Sequence, residues 1–196
     1  MGALTEKRIG CAMTGSYCTF QKVLDAWRAL RRTGAELVPI MSFNAAQLDT
    51  RFMTASEAVR QFGEICGRPV LRTLVEVEPI GPKKLLDALV IAPCTGNTLA
   101  KLANGVADTP VTLAAKSHLR NGRPVVIAVS TNDALAGNAR SLGALLDRRH
   151  FYFVPFRQDD CLGKPNSLVA DFSLLSETLC QALSGRQLQP LLLPFT

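Results

Sequence analysis

Leu85-Leu86-Asp87-Ala88-Leu89-Val90-Ile91-Ala92-Pro93-Cys94-Thr95-Gly96-Asn97-Thr98-Leu99-Ala100-Lys101-Leu102-Ala103-Asn104-Gly105-Val106-Ala107-Asp108 is the stretch whose reading decides the fold. Residues 88–92 form a short apolar run without alternation, the pattern of a parallel strand buried on both faces, and Pro93 is expected to stop it. A turn of small residues follows. Leu99, Leu102, Ala103 and Val106 then recur at helical spacing, and Asn104-Gly105 closes that helix. A strand that feeds a helix through Thr95-Gly96-Asn97-Thr98 leaves backbone N–H groups and two hydroxyls at a positive helix N-terminus. Such a turn is either a cradle for an anion or cofactor or an ordinary strand-to-helix turn with a threonine cap.

Working outward, the chain of 196 residues is 47% apolar, enough for one well-buried core, and is read as a single α/β domain with an apolar tail over residues 186–196. Charged residues make up 19%, low for a free monomer, which points to surface covered by other subunits. The net charge of +6 is modest and the basic residues are not interleaved with aromatics, which argues against nucleic-acid binding. Cys11, Cys18, Cys66, Cys94, Cys161 and Cys180 contain no CxxC pair and have no histidine at metal spacing. They are read as reduced thiols of a cytoplasmic protein, with no metal site. No apolar run reaches membrane-spanning length, and the N-terminus shows neither a signal peptide nor the myristoylation pattern.

In chain order, residues 8–13 predict a first strand, Thr14-Gly15-Ser16 a turn, and Phe20, Val23, Leu24, Trp27 and Leu30 the stripe of a helix ended at Thr33-Gly34. A strand, a glycine turn and a helix are where a doubly wound sheet places a phosphate, but one glycine is not a dinucleotide fingerprint. Residues 36–41 predict a second strand at or beside the sheet edge, because Pro39 removes a ladder donor. Ser42 ends it. Residues 43–52 read as a loop, Thr54-Ala55-Ser56-Glu57 as a capping box, residues 70–77 as a short strand, and residues 78–82 as irregular. Past the central stretch, a helix starts at Pro110 and a strand spans residues 124–129. Helices are expected over residues 134–149 and 166–183, with a last strand at 151–154. The tail is proline-broken and is expected to pack across the body or onto a neighbouring subunit.

Thr14, Gly15, Ser16, Ser42, residues 95–98 and residues 130–133 thus gather at strand C-termini, rich in hydroxyls and amides and poor in acid–base groups. That composition suits a phosphorylated cofactor better than hydrolysis. His118 and His150 lie in or after helices that point away. Cys94, at a helix N-terminus, is either a nucleophile or a small buried residue. Asp159-Asp160 is either an acid–base pair or a turn, and Asp49 and Arg51 are further loop candidates.

Residues 92–108, together with Met13-Thr14-Gly15-Ser16, resemble the flavoprotein superfamily of FMN-binding cysteine decarboxylases and flavin prenyltransferases. Within it the chain resembles the B-subunit family of bacterial dipicolinate synthases, carried by Asp49-Thr50-Arg51-Phe52, Glu78-Pro79-Ile80-Gly81-Pro82-Lys83-Lys84, Ser130-Thr131-Asn132-Asp133-Ala134-Leu135, Phe153-Val154-Pro155-Phe156, Gln158-Asp159-Asp160, Lys164-Pro165-Asn166-Ser167 and Gln187-Leu188-Gln189-Pro190. The resemblance implies a three-layer α/β/α Rossmann-like (flavodoxin-like) fold, with a doubly wound parallel sheet of about six strands ordered 3-2-1-4-5-6. It implies FMN, held by Thr14, Gly15, Ser16, Ser42, Thr95, Gly96, Asn97 and Thr98, with Asn97 as the catalytic candidate. Ser130, Asn132, Arg51 and Lys164 are the implied substrate residues. The implied activity is oxidation of a dihydrodipicolinate-type precursor to dipicolinate during spore formation. The implied partner is the A subunit of dipicolinate synthase, which brings NAD or NADP; a homo-oligomer (trimer or dodecamer) and the cytoplasm of the mother cell are implied as well. The other classes are an FMN-dependent decarboxylase or prenyltransferase and a non-catalytic, stabilising partner of that A subunit. Against the decarboxylase stands Pro79: phosphopantothenoylcysteine decarboxylases carry their catalytic histidine eight residues before the aspartate that matches Asp87. Their Pro-x-Met-Asn clamp is here Val129-Ser130-Thr131-Asn132.

Overall fold

The computed structural model describes residues 2–194. Five strands run parallel in the spatial order β2 (Glu36–Met41), β1 (Arg8–Met13), β3 (Ala88–Cys94), β4 (Val125–Thr131) and β5 (Phe151–Phe153). The chain moves outward from β1 to β2, then returns to place β3 on the other side of β1. The C-terminal ends of β1 and β3 therefore flank the point where strand order reverses, which in this architecture opens a crevice. Helices α1 (Phe20–Arg32), α3 (Ala55–Cys66) and α8 (Leu175–Leu183) pack together on one face. Helices α5 (Gly96–Ala103), α6 (Pro110–Leu119) and α7 (Ala139–Leu146) lie together on the other. All seven residues of β3 are buried, as its unbroken apolar run requires. On the first face Trp27 stacks on Phe62 with ring centroids 6.0 Å apart.

The wholly parallel sheet expected from sequence is corrected at one end. The first three residues of β4 pair with β5, but Ser130 and Thr131 pair antiparallel with β7 (Leu168–Ala170), which in turn pairs with β6 (Phe156–Arg157). The sheet has seven strands and is mixed. β7 occupies what sequence offers as the start of a long last helix; Leu168, Phe172, Leu175 and Leu179 happen to fall at helical spacing, which hides it. The expected helix over 134–149 likewise begins only at Ala139, because residues 132–138 form a turn.

Residues 70–77 are not a strand. Leu71 makes a single parallel bridge beside β2, and Thr73 caps the short helix α4 (Leu74–Val77) through a reciprocal box with Glu76. With Leu71 counted as a vestige of the third strand, the expected order 3-2-1-4-5-6 is the one observed for the parallel part. Residues expected to be irregular at 78–80 form a turn of 3-10 helix, with Pro79 tolerated near its start. Phe43–Gln47 forms a short helix, α2, where a loop was expected. β3 also does not stop at Pro93 but runs through a cis Ala92–Pro93 bond to Cys94. In the tail, Phe156 donates its N–H to the Leu191 carbonyl and accepts from the Leu193 N–H, so residues 191–193 lie along β6.

Pro39 sits where its missing donor costs nothing. The Leu71 N–H donates to the Pro39 carbonyl and the Met41 N–H to the Leu71 carbonyl, so residues 39 and 41 turn their backbone polar groups outward. Residues 38 and 40 must then face β1. Pro39→Val is expected to change stability by less than about 1 kcal/mol, whereas Ile40→Pro breaks the ladder at about 3 kcal/mol or more; urea unfolding measures both.

Candidate functional site

The crevice is built by two strand-to-helix turns tied together by one buried hydroxyl. Thr14 Oγ1 donates to the Pro93 carbonyl at 2.8 Å and accepts the Thr95 N–H at 3.0 Å. Thr95 then caps α5, its Oγ1 taking the Thr98 N–H at 3.3 Å and lying 3.1 Å from Thr98 Oγ1. Ser42, hung from the Met13 carbonyl by its own N–H, caps α2 by accepting the Ala45 N–H at 3.4 Å. On the other side Ser16 Oγ and Ser130 Oγ lie 2.8 Å apart, with Thr19 Oγ1 at 3.5 Å from the latter.

Two adjoining clefts result. The first, about 450 Å³, is lined by Thr14, Gly15, Ser42, Thr95, Asn97 and Thr98, with Tyr17, Asn44 and Lys101 at its sides. The second, about 350 Å³, is lined by Gly15, Ser16, Thr19, Thr95, Ser130, Asn132, Asp133, Asp159, Lys164 and Ser167. They share Gly15 and Thr95. A larger groove of about 660 Å³ runs between α1 and the 169–176 segment, meets the second cleft at Asp159 and Val169, and has its Arg157 and Asp171 paired at 2.8 Å.

Of the residues singled out from sequence, Thr14, Gly15, Ser42, Thr95, Asn97 and Thr98 meet in the first cleft, and Ser16, Ser130, Asn132 and Lys164 in the second. Gly96, expected from sequence to hold the cofactor, is buried and lines neither cleft. A Cβ there would stand 2.6 Å from Asp133 Oδ1 and Asn138 Nδ2 and 2.7 Å from Thr131 Oγ1, so only glycine lets α5 start against that polar cluster. Asp133 in turn accepts from Thr131 Oγ1 and Asn138 Nδ2, each at 2.6 Å. Arg51 lines neither cleft: it is exposed, with its guanidinium over the Phe52 ring at 4.8 Å. Asp49 accepts the Ala55 N–H at the start of α3 and is structural. Tyr17, Thr19, Asn44, Lys101 and Ser167 are site-lining residues that sequence reading missed, because short helical turns and loops carry no periodicity that marks which of their residues face a crevice, and Lys101 lies on the polar side of α5.

The electrostatics leave few free charges. Lys101 Nζ is held by both oxygens of Asp108, at 2.7 and 2.8 Å, and that hydrogen bonding keeps the Asp108 carboxyl below its usual range. Asp159 feels burial, which pushes its carboxyl up, but the Ser167 hydroxyl at 2.5 Å, its own backbone N–H and Lys164 outweigh this and hold it low. Asp160 accepts the Gly163 N–H and closes a turn. Cys94 is fully buried, and burial drives its thiol well above the ordinary range, so it is a packed thiol and not a nucleophile. Among the described residues no group of three metal-ligating side chains occurs, and no helix is long and apolar enough to cross a membrane.

His118 is buried in α6, its Nε2 3.2 Å from the Pro124 carbonyl, and burial lowers its pKa to about 4. The folded protein thus keeps it neutral while the unfolded chain protonates it near 6.5. The stability this gives is complete above pH 6.5 and is lost as pH falls towards 4, by up to about 3 kcal/mol. His118→Gln is expected to flatten the decline in urea midpoint between pH 7 and pH 5.

Four likenesses bear on this crevice. The family described as Flavoprotein matches residues 2–151. The chain is 45% identical over 192 residues to the B subunit of dipicolinate synthase of Bacillus subtilis (strain 168), covering 98% of this chain and 96% of that one. The crystal structure of the B subunit of dipicolinate synthase from Bacillus halodurans C superposes with a TM-score of 0.90 at 42% identity, covering 98% of this chain and 99% of the other. An FMN-dependent cysteine decarboxylase shares the fold at TM-score 0.69 and 24% identity, over 91% of this chain and 98% of its own.

Proposed function

The chain belongs to the Flavoprotein family, and from that premise we propose that it is the B subunit of a dipicolinate synthase, binding FMN in the first cleft and its reactant in the second. The observation that carries this reading is the pair of clefts sharing Gly15 and Thr95 at the sheet's switch point. The donor set fits a flavin nucleotide. Among the described residues, the Gly15 and Tyr17 N–H groups have no backbone acceptor, and with the Ser42 hydroxyl they offer uncharged donors to a phosphate, while Ser16 faces the second cleft. Asn97, exposed at the first turn of α5, makes no side-chain hydrogen bond of its own and is free to meet a ring edge. Bound FMN supplies a two-electron acceptor, which relieves the protein of providing one.

What the chain's own residues do is hold and orient. Ser130, fixed by β7 and by Ser16, and the exposed amide of Asn132 offer hydrogen bonds to a ring acid, and Lys164 offers a cation to its carboxylate. No group is set up as a general base: both carboxylates of the second cleft already accept short hydrogen bonds, and His118 is buried outside it. Aromatising a dihydropyridine ring is downhill, so electron removal and positioning are the demands. The active centre is therefore completed by the A subunit of the synthase, which brings the nicotinamide cofactor as the final acceptor of the one electron pair that the oxidation releases. Self-association into a trimer or dodecamer accounts for the low charge fraction.

The test is an assay of dipicolinate absorbance with this chain, with the A subunit, and with their mixture, supplied with NAD or NADP, and with and without FMN. Turnover is expected from the mixture, dependent on FMN, and not from this chain alone. Turnover by the mixture that ignores FMN would confine this chain to a stabilising role, and robust turnover by this chain alone would contradict the reading.

A further inference from the structure

The second cleft holds one cation and two carboxylates. Its floor is the Ser16–Ser130 hydroxyl pair, and its wall is the loop from β6 to β7, which carries Asp159, Lys164 and Ser167. Lys164 Nζ stands 3.5 Å from Asp159 Oδ2, longer than a good charge-assisted bond, and its side chain is 50% exposed. The other Asp159 oxygen is engaged far more closely, by the Ser167 hydroxyl at 2.5 Å. Asp159 is thus fixed by Ser167, while the ammonium is held loosely. An incoming carboxylate can take Lys164 at the loss of one weak, half-solvated ion pair.

A second carboxylate on the same ligand has no such reception. Lys164 is the one cation lining this cleft among the described residues. Asp133, the remaining charge, has both oxygens occupied by Thr131 and Asn138 and repels an anion. Arg51 is turned to Phe52 outside.

We propose that the second cleft is a half-site: it binds one carboxylate of a planar ring acid through Lys164 and the Ser16–Ser130 hydroxyls, and the cation for the second carboxylate comes from the partner protein. The choice of ligand class rests on the reading of this chain as part of a dipicolinate synthase. Asp159 is a positioning residue here: it neutralises Lys164 when the cleft is empty and competes with the ligand for it.

The experiment measures equilibrium binding of pyridine-2-carboxylate and pyridine-2,6-dicarboxylate to the full chain, with FMN supplied, alone and mixed with the A subunit. The chain alone is expected to bind the two acids within about threefold of each other, while the mixture prefers the diacid by about tenfold or more. Lys164→Met weakens binding of both acids by about tenfold or more, and Asp159→Asn strengthens binding of the monoacid. FMN affinity, read separately by fluorescence quenching, is expected not to change in Lys164→Met. Lys164→Met binding the acids as wild type does, a tenfold diacid preference by the chain alone, or no acid binding at millimolar concentration would each overturn the half-site. Lys164-dependent acid binding without any FMN binding would sink the flavin reading and leave the half-site standing.

Discussion

The crevice depends on the side chain of Thr14. Its hydroxyl is buried between the ends of two neighbouring strands, donating to the Pro93 carbonyl and accepting the Thr95 N–H. Those are the last ladder positions before two helices diverge: the Pro93 carbonyl still takes the Thr14 N–H at 3.3 Å, but the Thr95 N–H has no strand partner left. One threonine satisfies one group of each sign and fixes the distance between the turns. Gly15, on one turn, and Thr95, on the other, then border both clefts. A residue without a hydroxyl at position 14 would leave the Thr95 N–H unpaired and the Pro93 carbonyl with only the 3.3 Å bond from the residue 14 N–H, and an unpaired donor costs more than the bond itself contributes.

From that tie the character of the site follows. The groups presented to the first cleft are neutral hydroxyls and amides at helix starts, with its lysine already paired to Asp108. Such a surface recognises phosphate and ring edges without adding a charge that would have to be neutralised when the cleft is empty. The second cleft owes its wall to the antiparallel β6–β7 hairpin, the one departure from a parallel sheet. By pairing with Ser130 and Thr131, β7 brings the Asp159–Ser167 loop over the end of β4. The departure from the simplest architecture is thus where a cation enters the site.

What sequence made legible was local and strongly patterned. The buried run at 88–92, the caps at Thr54 and Thr95, the helix start at Pro110 and the stop at Gly34 each carry their own physical signature. Most of the crevice residues could be named because strand C-termini in a doubly wound sheet converge. Other features were illegible for identifiable reasons. β7 is three residues long, too short for period-2 alternation to show against the helical spacing of Leu168, Phe172 and Leu175. At 70–77 the run of Val70, Leu71, Leu74, Val75 and Val77 outweighed the Thr73–Glu76 cap in the reading, although the cap decides the structure. Arg51 is a candidate by its charge and its motif; its guanidinium lies over the Phe52 ring, an orientation that no spacing rule encodes.

The central claim is that the first cleft, whose lysine is paired to Asp108, receives the flavin phosphate at Gly15, and FMN titration of the chain followed by fluorescence quenching, in wild type and Gly15→Asp, tests it most directly. A Cβ at residue 15 meets the phenol end of Tyr17, at 3.3 Å, and no backbone atom as closely, so the variant is expected to fold by a shift of a few tenths of an ångström in that ring, and its carboxylate then stands where the phosphate would lie. The account predicts saturable quenching by wild type and its loss in Gly15→Asp with the circular dichroism spectrum retained. No quenching by wild type, or equal affinity in the variant, would contradict it.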